Sequence, residues 1–301
     1  MRKLARTLAA LLVALCFSAL AQAKAPVAAT AQGEVAGVTA QSVSVFKGIP
    51  FAAPPLGPNR WRSPQPPAAW QGVRDASTFG HDCMQSLVPG DDAPLRTVPS
   101  EDCLYLNVWK PAKAKAGAKL PVLVWLYGGA FITGGTSPAM YDGSSFAQNG
   151  IVFVSLNYRI GRFGFFSHPA LTAEAGKPVG NFAMEDQVAA LQWLRTNIAN
   201  FGGDPARVTI MGDSAGGTSV INLLTMPSAK GLFSGAIAMS GGGRSLIPTA
   251  TMENGEQVGV NFAAAHGITD TSAGGLAAMR ALPAEAVRGT KLFADRFATP
   301  Q

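Results

Sequence analysis

The pentapeptide Gly212-Asp213-Ser214-Ala215-Gly216 stands between an apolar β-type run, Val208 to Met211, and a helical segment, Ala215 to Leu224. No other feature constrains the chain as tightly. A strand that turns at once into a helix leaves space for only a few residues, so the central one takes a strained backbone and its neighbours two positions away must lack a Cβ. The junction predicts that Ser214 projects its Oγ above the sheet edge beside the N-terminus of the next helix. Backbone N–H groups and the positive end of the helix dipole there face any developing negative oxygen. Gly-x-Ser-x-Gly alone is frequent by chance; the strand-turn-helix setting makes Ser214 a candidate nucleophile. The competing assignment is a glycine-flanked serine that only caps the helix.

The surrounding pattern fits that junction. Leu104 to Trp109, Pro121 to Tyr127, Ile151 to Asn157, Val208 to Met211 and Ala236 to Met239 are short and almost continuously apolar, as strands buried on both faces are. Between the last three lie helical stretches. Ala183 to Asn200 carries an apolar stripe of Val188, Leu191, Trp193, Leu194 and Ile198, and Ala215 to Leu224 follows the pentapeptide. Such alternation predicts an α/β protein with right-handed crossovers and a mostly parallel central sheet, helices on both faces. Upstream, Glu34 to Val38 and Ser42 to Phe46 read as a small hairpin. Pro50 to Pro67 is too rich in proline for a central strand, but Phe51, Trp61 and Trp70 need something to pack on, so it is expected to be a structured loop. After Met239 come Gly241-Gly242-Gly243 and helical segments near Glu253 to His266 and Gly275 to Ala281, with no further strand pattern. The run Ala236 to Met239 is therefore expected to form an apolar sheet edge, an aggregation hazard.

A glycine-rich turn, Tyr127-Gly128-Gly129-Ala130-Phe131 with Gly134-Gly135 close behind, follows the run Pro121 to Tyr127. Small residues there let backbone N–H groups approach a substrate carbonyl. Alone, such a turn is more often just a turn.

Residues 1–23 are read as an export signal. Arg2, Lys3 and Arg6 precede an apolar stretch, Leu8 to Ala21, and Ala21-Gln22-Ala23 supplies a small-x-small cleavage pattern. The stretch is shorter than the roughly 20 residues a bilayer span needs, so no stable membrane anchor is expected; an uncleaved anchor is the alternative. Cys16 follows Leu15, where a lipoprotein site needs a small residue. The expected location is secreted or periplasmic, with cleavage near Ala23. The signal also explains much of the basic balance. The net charge of +6 falls to +3 without these residues, which carry three basic and no acidic side chains. No basic run beyond the spaced Lys113, Lys115 and Lys119 remains, so a nucleic-acid partner has little support. Cys83 and Cys103 are the cysteines left, and an even count in an exported chain favours a disulfide; two free buried thiols are the alternative. Among all 301 residues only 14% are charged and 48% are hydrophobic, which excludes a disordered chain.

Three blocks together resemble the type-B carboxylesterase family of the α/β-hydrolase fold. Phe201-Gly202-Gly203-Asp204-Pro205, with Val208, Ile210 and the pentapeptide, matches the family's serine signature, with Asp213 where many members have Glu. Glu101-Asp102-Cys103-Leu104-Tyr105-Leu106-Asn107-Val108 is similar to its second signature. Phe46-Lys47-Gly48-Ile49-Pro50-Phe51-Ala52, Pro54-Pro55 and Trp70-Gln71-Gly72-Val73 look like its N-terminal block. The likeness runs from about residue 33 to near residue 301.

The resemblance implies a serine carboxylic ester hydrolase, of the EC 3.1.1 type, acting on a small-molecule ester through an acyl-enzyme at Ser214. It implies an oxyanion hole from the N–H groups of Gly129, Ala130 and Ala215, with Ala130 standing where the family often has Gly. Cys83 and Cys103 fall where the family places its first disulfide. Cholinesterases carry a Trp within that loop for the choline cation. Residues 84–102 here contain no aromatic, so choline esters are not the expected substrates. No cofactor and no metal is implied: the pentapeptide lacks the Lys of a phosphate-binding loop, and no dinucleotide fingerprint competes.

In this fold the triad runs in the order Ser, acid, His. Only His266 follows Ser214, and it ends a helical pattern; Glu253 and Glu256 are too close to it for an acid that belongs one strand earlier. His81 and His168 precede the nucleophile. By resemblance the acid and histidine lie beyond residue 301, and the sequence is expected to cover about the first three fifths of such a protein. Residues 24–301 are then a C-terminally truncated hydrolase domain. Two rivals share the scaffold: a binding-only protein, as in adhesion relatives that typically lose the serine, and an inactive truncated member.

Overall fold

A computed structural model describes residues 25–242 and 251–288. The expected signal segment, residues 1–23, and Gly243 lie outside the described residues. In chain order the strands are β1 (Val27–Thr30), β2 (Gly33–Ala36), β3 (Val38–Ala40), β4 (Val43–Pro50), β5 (Val73–Asp75), β6 (Tyr105–Pro111), β7 (Leu120–Leu126), β8 (Val152–Leu156), β9 (Gly203–Asp213) and β10 (Gly235–Met239). The helices are α1 (Ser144–Gln148), α2 (Gly161–Gly164), α3 (Pro169–Ala175), α4 (Phe182–Asn197), α5 (Ala215–Thr225), α6 (Met252–Ala265), α7 (Ala273–Arg280) and α8 (Ala284–Arg288).

The central sheet has seven strands in the order β10-β9-β7-β8-β6-β4-β3. From β10 through β9 and β7 to β8 every pairing is parallel. From β8 through β6 and β4 to β3 every pairing is antiparallel. The sheet is thus mixed, and the parallel character expected of most of it is confined to one half. The reason lies in the connections: strand-helix alternation begins only at β7, whereas β3 and β4 are joined by a tight hairpin that forces opposite directions.

That hairpin lies a few residues from where the sequence pattern put it. Val38 pairs with Val45 and Ala40 with Val43 across Gln41-Ser42, whose φ values of +45° and +66° suit a turn matched to strand twist. Glu34 and Val35 belong instead to a separate sheet of order β1-β2-β5. The two sheets part at Gly37, where a Cβ would fall 2.2 Å from the Val45 carbonyl oxygen. Both segments look equally strand-like in sequence; the close backbone crossing separates them.

Alternate residues of β7 and β8 bury on opposite faces. Val122, Val124, Leu126, Val152 and Val154 join Val188, Leu191 and Leu194 of α4 and Val220 of α5 in the main core. Leu123, Trp125 and Phe153 pack with Val43, Trp109 and Ala147 of α1 on the other side. A third cluster gathers Trp61 of the proline-rich loop, Phe163 of α2, Phe166 just after it, Phe262 of α6, and Leu276 and Met279 of α7. Trp61 shows why the loop is ordered: its ring stacks on Phe166 at 4.5 Å and its Nε1 donates to the Arg162 carbonyl. Arg60 beside it makes a buried pair with Glu101, Nε to Oε2 at 2.8 Å.

Candidate active site

β9 delivers the pentapeptide to the C-terminal end of the parallel half, where open α/β sheets place their ligands. Ser214 sits there with φ +55° and ψ −119°, a conformation a non-glycine residue adopts only under constraint. Its glycine neighbours supply the constraint. A Cβ on Gly212 would lie 2.4 Å from the Gly216 carbonyl, and one on Gly216 would lie 2.0 Å from the Leu126 carbonyl oxygen. With both hydrogens in place, α5 starts directly at Ala215 and packs across β7. The Ser214 N–H donates to the Met239 carbonyl at 2.9 Å, tying the turn to β10. Its side chain makes no capping hydrogen bond and is exposed, so the helix-cap alternative has no geometric support.

The turn after β7 runs alongside. Gly128 meets the serine turn so closely that a Cβ would stand 2.8 Å from the Asp213 carbonyl oxygen and 3.1 Å from Ser214 Cβ. The next three residues all have positive φ: Gly129 at +110°, Ala130 at +55° and Phe131 at +61°. For Ala130 and Phe131 this is a left-handed strain of about 1–2 kcal/mol each. The carbonyls on the far side of the turn hold it in place. The Gly129 oxygen accepts from the N–H groups of Ile132 and Thr133, both at 3.0 Å, and the Phe131 oxygen accepts from Gly161 N–H at 2.7 Å. Among the described residues nothing accepts from the N–H groups of Gly129 or Ala130. Ala215 opens α5, where the first N–H groups have no intrahelical acceptor. Gly129, Ala130 and Ala215 are the residues to which the family resemblance assigns an oxyanion hole.

The turn rests on two tyrosines that sequence reasoning did not select. Tyr127 and Tyr158 are fully buried with rings stacked at 4.3 Å. Each hydroxyl donates to the other's carbonyl, at 2.8 Å from Tyr127 and 2.5 Å from Tyr158. Burial pushes both phenol pKa values well up, so both remain neutral donors. No local signal marks Tyr158, because its partner lies 31 residues away in sequence.

The histidines lie elsewhere in the hydrogen-bond network. His81 Nδ1 contacts the Val98 carbonyl at 2.8 Å. His168 is buried, caps α3 by accepting from Ala170 N–H at 3.1 Å, and has its pKa lowered by burial against a smaller opposing pull from Glu256. His266 caps the end of α6, as its place in the sequence suggested, with Nδ1 2.9 Å from the Phe262 carbonyl. None of these three histidines bonds to Ser214 among the hydrogen bonds of the described residues. Cys83 and Cys103 form a disulfide, with Cα atoms 4.9 Å apart. No helix of the described residues is long and apolar enough to cross a membrane, and no group of three or more His, Cys, Asp or Glu there could hold a metal ion.

Comparison with known proteins agrees with this geometry. The Carboxylesterase family matches residues 24–295. A fumonisin B1 esterase of Sphingopyxis macrogoltabida is 46% identical over 238 residues, 78% of this chain and 43% of that protein. A para-nitrobenzyl esterase of Bacillus subtilis (strain 168) is 46% identical over 222 residues, 72% of this chain and 44% of its own length. Among solved structures, a PNB esterase superposes with a TM-score of 0.76 at 41% identity, covering 87% of this chain and 52% of that one. A carboxylesterase of Geobacillus stearothermophilus gives 0.75 at 41% identity, with the same coverage. The chain spans less than half the length of these curated relatives. Family match, identity and shared sheet geometry together show that the chain belongs to the carboxylesterase family and has the α/β-hydrolase fold.

Proposed function

We propose that the protein is a serine ester hydrolase working through an acyl-enzyme on Ser214. The observation that carries this is the exposed, strained serine packed against Gly128, whose next two residues, Gly129 and Ala130, have backbone N–H groups with no acceptor among the described residues. Ser214 Oγ attacks the ester carbonyl carbon and gives up its proton to a base. The carbonyl oxygen becomes an oxyanion held by the N–H groups of Gly129, Ala130 and Ala215; fixed backbone donors stabilise such charge without having to reorganise as it develops. The C–O bond then breaks, the alcohol leaves with a proton, and water attacks the acyl group to regenerate the serine. The methyl of Ala130 narrows the acyl side of the site without removing its donor. None of His81, His168 or His266 is assigned as the base. Export by residues 1–23 belongs to the same proposal and places the disulfide in an oxidising compartment.

Incubation with p-nitrophenyl acetate, followed by peptide mass spectrometry, tests it. One acetyl group on the peptide containing Ser214, absent from Ser214→Ala, is the expected result. Adducts only at other residues, or turnover that survives Ser214→Ala, would overturn the nucleophile assignment. A chain never acylated at Ser214 would favour a binding-only role on this scaffold.

A further inference from the structure

Behind the turn that follows β7, the chain doubles back against the segment opening the disulfide loop, and the contact is polar, buried and unusually complete. Gln85, 5% exposed, lies flat on the backbone of Gly134. Its Oε1 accepts from the Gly134 N–H at 2.8 Å, its Nε2 donates to the Gly134 carbonyl at 2.6 Å, and the second Nε2 hydrogen reaches the Cys83 carbonyl at 2.9 Å. One side-chain amide thus satisfies both backbone groups of a single residue, as a neighbouring strand would. Three residues earlier, Asp82 is fully buried. Its carboxylate accepts from the Thr136 N–H at 2.9 Å, the Ser137 N–H at 3.2 Å, the Thr97 hydroxyl at 2.6 Å and the Ser137 hydroxyl.

The glycines of the turn are fitted to these contacts. A Cβ on Gly135 would stand 2.1 Å from Asp82 Oδ1. Gly134 has φ +107°, and a Cβ there would stand 2.5 Å from the Gly128 carbonyl oxygen. The residue that Gln85 grips is therefore packed directly on the turn's first glycine, one residue before Gly129.

We infer that Gln85 and Asp82 are positioning residues for the donor turn, holding Gly128–Gly135 so that the N–H groups of Gly129 and Ala130 face Ser214, with the Cys83–Cys103 disulfide anchoring the segment from which both act. This deepens the proposed esterase function and rests on it. Gln85 touches no reacting atom; it acts through Gly134. Misplacing a preorganised donor by a fraction of a bond length weakens transition-state binding steeply and leaves ground-state binding largely intact.

The test uses the 301-residue chain and Gln85→Ala, with Gln85→Met, of similar length but without polar ends, as the second variant in case the first does not fold. Amide hydrogen exchange is read at Gly134 and along β7 and β8. Exchange at Gly134 is expected to accelerate about tenfold or more in either variant, with the strands unchanged. The maximal rate of Ser214 acetylation by p-nitrophenyl acetate is expected to fall about tenfold to a hundredfold, with the half-saturating ester concentration unaltered. Unchanged exchange at Gly134 overturns the inference, as does an acylation defect seen only in the half-saturating concentration. If the parent chain is never acetylated at Ser214, the esterase proposal fails, while exchange at Gly134 still decides whether Gln85 positions the turn.

Discussion

β8 and β10 are both five-residue strands of the parallel half, with apolar sequences Val-Phe-Val-Ser-Leu and Gly-Ala-Ile-Ala-Met. Their environments are opposite. β8 lies between β7 and β6, and all five of its residues are buried. β10 pairs only with β9 among the described strands; Ala236, Ile237 and Ala238 are exposed, Ile237 by 43%. An apolar run records the capacity of a strand to be buried, not the presence of a partner. β10 also carries part of the site, since its Met239 carbonyl holds the Ser214 N–H.

The sharpest way to break the contrast is a charge in each strand. Val154→Asp places a carboxylate among apolar side chains on a fully enclosed strand, and its cost of more than about 4 kcal/mol is expected to abolish the folded fraction in circular dichroism. Truncation comes next. Leu156→Ala is expected to cost about 2–5 kcal/mol by urea unfolding, while Ile237→Ala costs under about 1 kcal/mol; equal losses would mean that β10 is as enclosed as β8. A pair of glycines compares how rigidly α5 is backed on each side. In Gly216→Ala a methyl meets the Leu126 carbonyl oxygen of β7 at 2.0 Å, and in Gly217→Ala one meets the Met239 carbonyl oxygen of β10 at 2.4 Å. The first is expected to lower stability by about 1–3 kcal/mol in thermal melts, the second by less, because an edge strand can shift. The smallest effect belongs to Ile237→Lys. Stability should stay within about 0.5 kcal/mol, but sedimentation should show less self-association than the parent, because a charged edge resists strand pairing.

The serine turn was legible because its information is local. A tight strand-to-helix reversal demands glycines two positions either side of Ser214, and a Cβ on Gly212 or Gly216 would indeed run into neighbouring backbone. The Cys83–Cys103 pair was legible by count and by family resemblance. Boundaries were less so. β9 extends back to Gly203 through polar residues because it pairs beyond Val208, with Gly203 opposite Leu120, and pairing is invisible in one strand's own pattern. Glu34 to Val38 was divided between two sheets by a close approach at Gly37 that no periodicity announces. The supports of the donor turn were hidden for a related reason: Asp82 and Ser137 are 55 residues apart, and neither lies in a pattern that demands the other.

The α/β class and the candidate nucleophile Ser214 were readable in the chain because both depend on residue types at short, fixed spacings that backbone sterics translate directly into shape; the family was readable only as a resemblance over three motif blocks. Three further features came into view with the assembled fold: half the sheet is antiparallel, β10 is an exposed edge among the described strands, and Gln85, Asp82, Tyr127 and Tyr158 bond to the segments on and around the turn after β7. Those features depend on which distant segments meet. Apolar side chains gain from burial against almost any partner, but a buried polar group must find particular donors and acceptors, and only the assembled chain supplies them.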